Sequence, residues 1–239
     1  RVIPGEVPGT TRDSIDVRFE MDGRSFVAID TPGVRKRKSI ATDIEFYGLV
    51  RSQRSIRRAD VVLMFFDSQE TISRVDKQLV ESIVESHTPC VLVVNKWDLA
   101  KEMGITADEA VQSVRDRFRF ASYAPICLVS ALDGTGINEL LDTAKDVYLE
   151  WSKGVPRYDL RRQIMNAVAE HPPSLTSRRS LKIYGVTMDK TSPPSFTFYV
   201  NSSEMVHFSY ARYLENTIRG AYEFRGSPLR MRFKGRGEQ

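Results

Sequence analysis

Residues 95–98 read Asn-Lys-Trp-Asp and follow the apolar run Val91-Leu92-Val93-Val94. A carboxylate held at Asp98 can accept from two donors on one edge of guanine, the ring N–H and the exocyclic amine. Adenine offers no matching pair, so it leaves a buried charge unpaired, which is costly. Asn95 can serve the opposite edge of the base and tie neighbouring loops together, while the Lys96 stem lies along the purine face. Taken alone, a solvated turn explains these four residues equally well.

Three further loops carry compatible chemistry. Phe26-Val27-Ala28-Ile29 runs into Asp30-Thr31-Pro32-Gly33. A strand-end carboxylate at Asp30 can hold a water of a Mg²⁺ shell, because Mg²⁺ keeps most of its waters and takes few protein ligands. The Gly33 amide has no side chain in front of it and can approach a terminal phosphate. A strand closed by an ordinary Pro-Gly turn is the plainer alternative. Upstream, Gly9-Thr10-Thr11-Arg12-Asp13 offers hydroxyls for Mg²⁺. Downstream, Leu128-Val129 leads into Ser130-Ala131-Leu132, whose backbone N–H groups suit a guanine carbonyl. Four loops in this order, each at the carboxyl end of a strand, are more specific than any one. That edge is where open α/β sheets bind ligands.

The elements that must position these loops can be read from periodicity. Ile15 to Met21 and Arg24 to Thr31 form a hairpin across Asp22-Gly23. A helix is predicted from about Thr42 to Arg58 with Phe46, Leu49, Val50 and Ile56 inward, then a buried parallel strand over Val61–Phe66. Helices near Ser73–Ser86 and Thr106–Phe120 alternate with strands at Cys90–Asn95 and Ile126–Ser130, and a last helix opens after Gly134-Thr135-Gly136 and reaches Trp151. This alternation predicts a mostly parallel sheet with helices on both faces. A break falls at Ser152-Lys153-Gly154-Val155-Pro156. Beyond it the predicted order is helix (Tyr158–Glu170), a Pro-, Ser- and Arg-rich loop, strand (Leu181–Met188), strand (Ser195–Asn201), helix (His207–Tyr222) and strand (Pro228–Phe233).

The motifs resemble those of the translation-factor class of GTPases. Gly-Thr-Thr-Arg-Asp, with hydrophobic Val34 after Gly33, is similar to the Era/TrmE/EngA group. Phe196-Thr197-Phe198-Tyr199-Val200-Asn201, Tyr210-Ala211-Arg212-Tyr213-Leu214-Glu215-Asn216 and Gly226-Ser227-Pro228-Leu229-Arg230-Met231-Arg232-Phe233 resemble the end of the Der (EngA) family of ribosome-biogenesis GTPases. The resemblance covers essentially the whole chain. It implies a P-loop-NTPase-type G domain over residues 1–152, the second of the two in that family, and a small α+β KH-like domain over 157–239. It implies GTP and GDP as ligands, bound by Thr10, Thr11, Asp30, Thr31, Pro32, Gly33, Asn95, Lys96, Asp98, Ser130, Ala131 and Leu132. Mg²⁺ is expected at Thr11 and Asp30, and K⁺ near Thr10 and Thr11. The expected role is a GTP-hydrolysing switch in assembly of the 50S ribosomal subunit, contacting rRNA, in a cytoplasmic monomer with no membrane or DNA partner.

One departure stands against these matches: no G-x-x-x-x-G-K-[ST] sequence occurs in the chain. That loop cradles the phosphates and binds Mg²⁺. The expectation is that the chain is a fragment lacking the phosphate loop and the first G domain, with weak or no nucleotide affinity of its own. The alternative is an RNA- or protein-binding module whose G domain no longer binds nucleotide. No residue can be named a general base, and Val34 stands where Ras-like enzymes carry a water-orienting Gln.

Charge is divided unevenly. Residues 1–150 hold 20 Lys and Arg against 24 Asp and Glu, whereas residues 151–239 hold 15 against 7. A basic unit beside an acidic one suits an electrostatic anchor on a polyanion. Bulk charge does not choose between RNA, DNA and lipid, although lipid comes last without a basic amphipathic helix. Candidate RNA contacts are Arg178, Arg179 and Lys182, with Arg230, Arg232, Lys234 and Arg236. The first three of the latter cluster alternate along one strand face, and a merely solvated face is the alternative. The Gly-x-x-Gly clamp of KH domains is absent. Cys90 and Cys127 read as buried thiols, and His87, His171 and His207 lack the spacing of zinc ligands.

Overall fold

The structure is a computed structural model, which describes residues 16–21, 23–29, 52–173, 175–176 and 179–235. The hairpin forms as its Asp-Gly signal predicts: β1 (Asp16–Met21) pairs antiparallel with β2 (Arg24–Ile29), Met21 opposite Arg24. Gly23 takes a φ of +69°, which a side chain disfavours at such a turn. Residues 52–58 are helical (α1), and Arg58 joins the hairpin through a 2.7 Å ion pair to Asp16.

The first core is built on three parallel strands in the order β3 (Val62–Asp67), β4 (Cys90–Asn95), β5 (Ile126–Leu128). Alternation along β4 sends Cys90, Leu92 and Val94 to one face, where they pack with Ile56, Val80, Ile83 and Phe118. Val91 and Val93 go to the other, with Cys127, Leu140 and Val147. Both faces are thus covered, as a βα alternation requires. The helices are α2 (Arg74–Glu85), α3 (Trp97–Glu102), α4 (Ala107–Arg117) and α5 (Ile137–Ser152). Ser73 caps α2 reciprocally with Asp76, and Thr106 caps α4 with Glu109, so orphan N–H groups are satisfied at both starts.

The second core follows a short link at 153–156. Helices α6 (Arg157–Glu170) and α7 (Phe208–Tyr222) cover one face of a sheet ordered β10 (Arg230–Lys234), β9 (Ser195–Val200), β8 (Ile183–Lys190). β8 and β9 are antiparallel, while β10 runs parallel to β9. Leu160, Ile164, Phe196, Phe198, Leu214, Ile218 and Phe224 fill this core. Two short strands, β6 (Leu175–Thr176) and β7 (Arg179–Ser180), occupy the loop expected after α6.

The two cores meet through the connection between α7 and β10. The Cys90 N–H donates to Gly226 O at 2.9 Å, and the Gly226 N–H donates to Tyr123 O at 2.8 Å. The Arg219 guanidinium lies 4.4 Å from the Tyr123 ring centroid, and Lys153 Nζ donates to Tyr222 O at 2.5 Å. Glu223, Phe224 and Gly226 all have positive φ here. Two non-glycine residues in that region store strain of about 1–3 kcal/mol each, which burial of the whole Phe224 ring offsets.

Three expectations need correcting. The helix expected over Thr106–Phe120 ends at Arg117 and continues as a 3₁₀ turn, Arg119–Ala121, where Phe118 turns inward to stack on Phe66 at 5.2 Å. The strand expected to be buried, Val61–Phe66, leaves Phe65 48 % exposed, because β3 is the sheet's edge among the described residues. The expected 95–98 loop instead turns into helix α3 at Trp97. The expected inward residues Phe46, Leu49 and Val50 lie outside the described residues.

Candidate nucleotide-binding site

The carboxyl ends of β3, β4 and β5 converge on one group of loops. In-register pairing sets Asp67 beside Asn95. The chain then turns at Lys96, which adopts left-handed backbone (φ 60°, ψ 39°) and so lets α3 start at once. Lys96 Nζ reaches back to Asp67 Oδ2 at 2.6 Å, and Ser68 Oγ donates to Lys96 O at 2.8 Å. This holds the lysine stem across the strand ends.

The loop after β5 is bonded to the same turn. Val129 N donates to Val94 O at 2.8 Å, Trp97 N to Val129 O at 3.0 Å, and Ala131 N to Asn95 Oδ1 at 3.1 Å. Asn95 therefore ties the two loops through its side chain. Ser130 is fully buried and closes a tight loop with Gly134 and Thr135, while Leu132 projects outward at 88 % exposure. The Thr135 N–H donating to Asp133 Oδ1 holds that carboxyl below the usual carboxylate range. Gly136 has a φ of +73°, and a Cβ there would clash with the Leu128 carbonyl oxygen. Only glycine lets α5 start this close to β5.

Asp98 sits in the first turn of α3, and its Oδ1 is buried with no hydrogen-bond partner among the described residues. A buried carboxylate oxygen without a donor is costly. Its chemistry fits a ligand that brings two adjacent N–H donors, as guanine does. Nothing comparable marks Cys90 or Cys127, which are free, buried thiols; burial pushes Cys90 up to about 12.

The structure brings together Asn95, Lys96, Asp98, Ser130, Ala131 and Leu132. Thr10, Thr11, Asp30, Thr31, Pro32 and Gly33 lie outside the described residues, and with them both expected Mg²⁺ ligands. Asp67, Ser68 and Gly136 were missed as parts of this site. An acid directly after the apolar run of β3 was the available signal for Asp67. Among the described residues, no cluster of three His, Cys, Asp or Glu side chains is placed to hold a metal ion, and no helix is long and apolar enough to cross a membrane. Of the basic candidates, Arg230, Arg232 and Lys234 share one face of β10 and Lys182 precedes β8. Arg179 falls in β7, and Arg178 and Arg236 lie outside the described residues.

Comparison with known proteins agrees with this geometry. Residues 1–96 match the MMR_HSR1 family, described as 50S ribosome-binding GTPase, and residues 155–234 match the KH-domain-like family of EngA bacterial GTPase enzymes, C-terminal. GTPase Der of Rhodopirellula baltica is 43 % identical over 231 residues, covering 97 % of this chain and 51 % of that protein. GTPase Der of Desulforamulus reducens is 41 % identical over 230 residues, covering 96 % and 52 %. The chain thus spans about half the length of the curated relatives it matches. Among solved structures, Era in complex with MgGDPNP and nucleotides 1506–1542 of 16S ribosomal RNA superposes with a TM-score of 0.50 at 16 % identity. That match covers 97 % of this chain and 83 % of that one, a likeness of fold. With 43 % and 41 % identity over nearly all of its length, and matches to a GTPase family and to the EngA C-terminal KH-like family in that order, the chain belongs to the Der (EngA) family over the stretch it covers.

Proposed function

We propose that this chain is the guanine-reading and KH-like portion of a GTP-hydrolysing switch that acts in assembly of the 50S ribosomal subunit. On this reading residues 1–152 form the G domain and residues 157–239 the KH-like domain, whose basic residues contact rRNA. The observation that carries the guanine assignment is the Oδ1 of Asp98, without a donor among the described residues, in the first turn of the helix after Asn95, whose own side chain takes the Ala131 N–H. The matched family description and the positive charge of residues 151–239 support the ribosomal assignment.

The chain's own residues act by binding and selecting. Asp98 accepts from the guanine edge, Asn95 holds the loop after β5 against the base, and Lys96, anchored by Asp67, lines the purine face. Mg²⁺, when bound, neutralises charge on the phosphates; Thr11 and Asp30 are its expected ligands, and Thr11 and Gly33 are expected to sense the terminal phosphate. K⁺ is expected to stimulate the reaction. Val34 has no group to orient water, so turnover by the protein that supplies a phosphate loop is slow.

The test is competition for a fluorescent GDP analogue by GDP and by ADP, read also through Trp97, which is buried at the base loop. In the longer protein GDP competes and ADP does not; equal competition overturns the guanine reading. A second reading is an RNA- or protein-binding module whose G domain no longer binds nucleotide. An absent Trp97 response to GDP in the longer protein favours it.

A further inference from the structure

The sheet of the second unit has a face that its helices do not cover. Alternation turns Met231, Phe233, Phe196, Phe198, Val186 and Met188 toward the core. Arg230, Arg232 and Lys234 of β10 and Ser195, Thr197 and Tyr199 of β9 therefore share the opposite side. Register sets Arg232 beside Thr197 and Thr187, and Lys234 beside Tyr199 and Gly185. A register shift between Ile183 and Gly185 places two residues against Tyr199, and Tyr184 and Tyr199 are 47 % and 42 % exposed.

The middle of this face is low. Ser195 and Thr197 are buried, and a Cβ built on Gly185 would meet nothing within 4 Å. Asp189 is the acidic group here, and its two oxygens accept from Thr187 Oγ1 at 2.9 Å and Thr197 Oγ1 at 2.6 Å. The hydroxyls hold it down, and the basic column along β10 sets the sign of the surface.

We propose that this outer sheet face binds single-stranded RNA, with bases stacked on Tyr199 and Tyr184 and phosphates along Arg230, Arg232 and Lys234. Neighbouring strands lie about 4.8 Å apart, so the aromatic and basic columns are separated by roughly the span from a base to its phosphate. Exposed rings beside cations serve unstacked bases, whereas a duplex hides its base faces. A solvated basic face has no use for two exposed tyrosines on the strands beside its charges. The inference rests on the rRNA-contact reading above and specifies its surface and the strandedness of its ligand.

The experiment is fluorescence anisotropy of the full chain with labelled decauridylate and a ten-base-pair RNA duplex across a salt series. Tyr199→Ala is expected to weaken decauridylate binding about 10-fold with the salt slope unchanged, while Tyr199→Phe retains it. Arg232→Ala with Lys234→Ala is expected to lower the salt slope by about 1.4, the loss of two phosphate contacts. If Tyr199→Ala fails to fold, Tyr184→Ala on the neighbouring strand carries the same test. Wild-type binding that neither tyrosine variant alters overturns the sheet-face site and leaves the rRNA reading intact, as does preference for the duplex. No binding of either RNA at low salt overturns both.

Discussion

The two ends of β4 are built for opposite purposes. At its amino end, Cys90 is locked by backbone hydrogen bonds into the connection between α7 and β10, through Gly226 and onward to Tyr123. At its carboxyl end, Lys96 pairs with Asp67 and Asn95 accepts from the Ala131 N–H, so three loops meet, and one carboxylate oxygen of Asp98 has no donor among the described residues. Unpartnered atoms occur at both ends: the hydroxyls of Tyr123, Tyr222 and Ser227 near the joint are also buried without a hydrogen bond, whereas the Arg219 guanidinium beside them is paired with Glu215 at 2.8 Å. The difference is charge. A neutral hydroxyl in that state costs about 1–3 kcal/mol, and a charged group more. An orphaned hydroxyl can persist in a well-packed joint, whereas a carboxylate oxygen without a donor is the costlier feature, and the guanine reading proposed above rests on it.

Substituting the glycine at each end breaks the contrast most severely. Gly136→Ala sets a Cβ against the rigid Leu128 carbonyl at positive φ, and about 3 kcal/mol of stability should be lost in chemical denaturation. Gly226→Ala, also at positive φ, meets both γ-methyls of the fully buried, β-branched Val147 at 2.5 and 2.7 Å, so a loss of up to about 3 kcal/mol is expected. A melt in which Gly226→Ala uncouples the two cores into separate transitions would sharpen the view of this connection as the joint.

Asp98→Asn tests the other end and should act with opposite signs. Asp98 is half-exposed and only its Oδ1 lacks a donor among the described residues, so the free chain should be as stable or slightly more so. In the longer protein, guanine nucleotide binding should weaken by about 1–3 kcal/mol, measured by titration calorimetry. A large loss of stability on this substitution would show that Asp98 is a structural residue.

The last expected effect is confined to alkali. Burial raises the Cys90 thiol to about 12 and raises the Tyr123 hydroxyl as well. Both stay protonated in the folded state at pH values where the unfolded chain ionises. Their contribution is complete below about pH 9 and declines toward pH 12, by up to ~1.4 kcal/mol per pH unit for each group. Cys90→Ala should flatten this decline; an unchanged slope would mean the thiol does not titrate with unfolding.

Much of this was legible in the chain. The Asp22-Gly23 hairpin, the βα alternation, the strand ends at Asn95 and before Ser130–Leu132, and the alternation of Arg230, Arg232 and Lys234 are local patterns that appear where the pattern put them, although the chain past Asn95 turns helical at Trp97. What was not legible depended on partners distant in sequence. Helix α3 is stabilised at its start by the bond from Trp97 N to Val129 O, which no window around residue 97 contains. Phe65 reads as core yet is half exposed, because burial depends on which strands lie alongside. Gly226 reads as one more turn residue, and its pairing with Cys90 and Tyr123 is visible only in three dimensions.

The sequence by itself determined the chemistry on offer: an acid two residues past an Asn-Lys pair, a run of alternating cations, and two units of opposite charge. These follow from residue type and spacing, which the periods of helix and strand translate directly into faces and ends. Tertiary structure decided which of those groups are left wanting a partner. Whether the Asp98 oxygen is orphaned and whether Tyr184 and Tyr199 stay exposed beside β10 depend on packing between segments far apart in the chain, and burial is a property of the assembled fold.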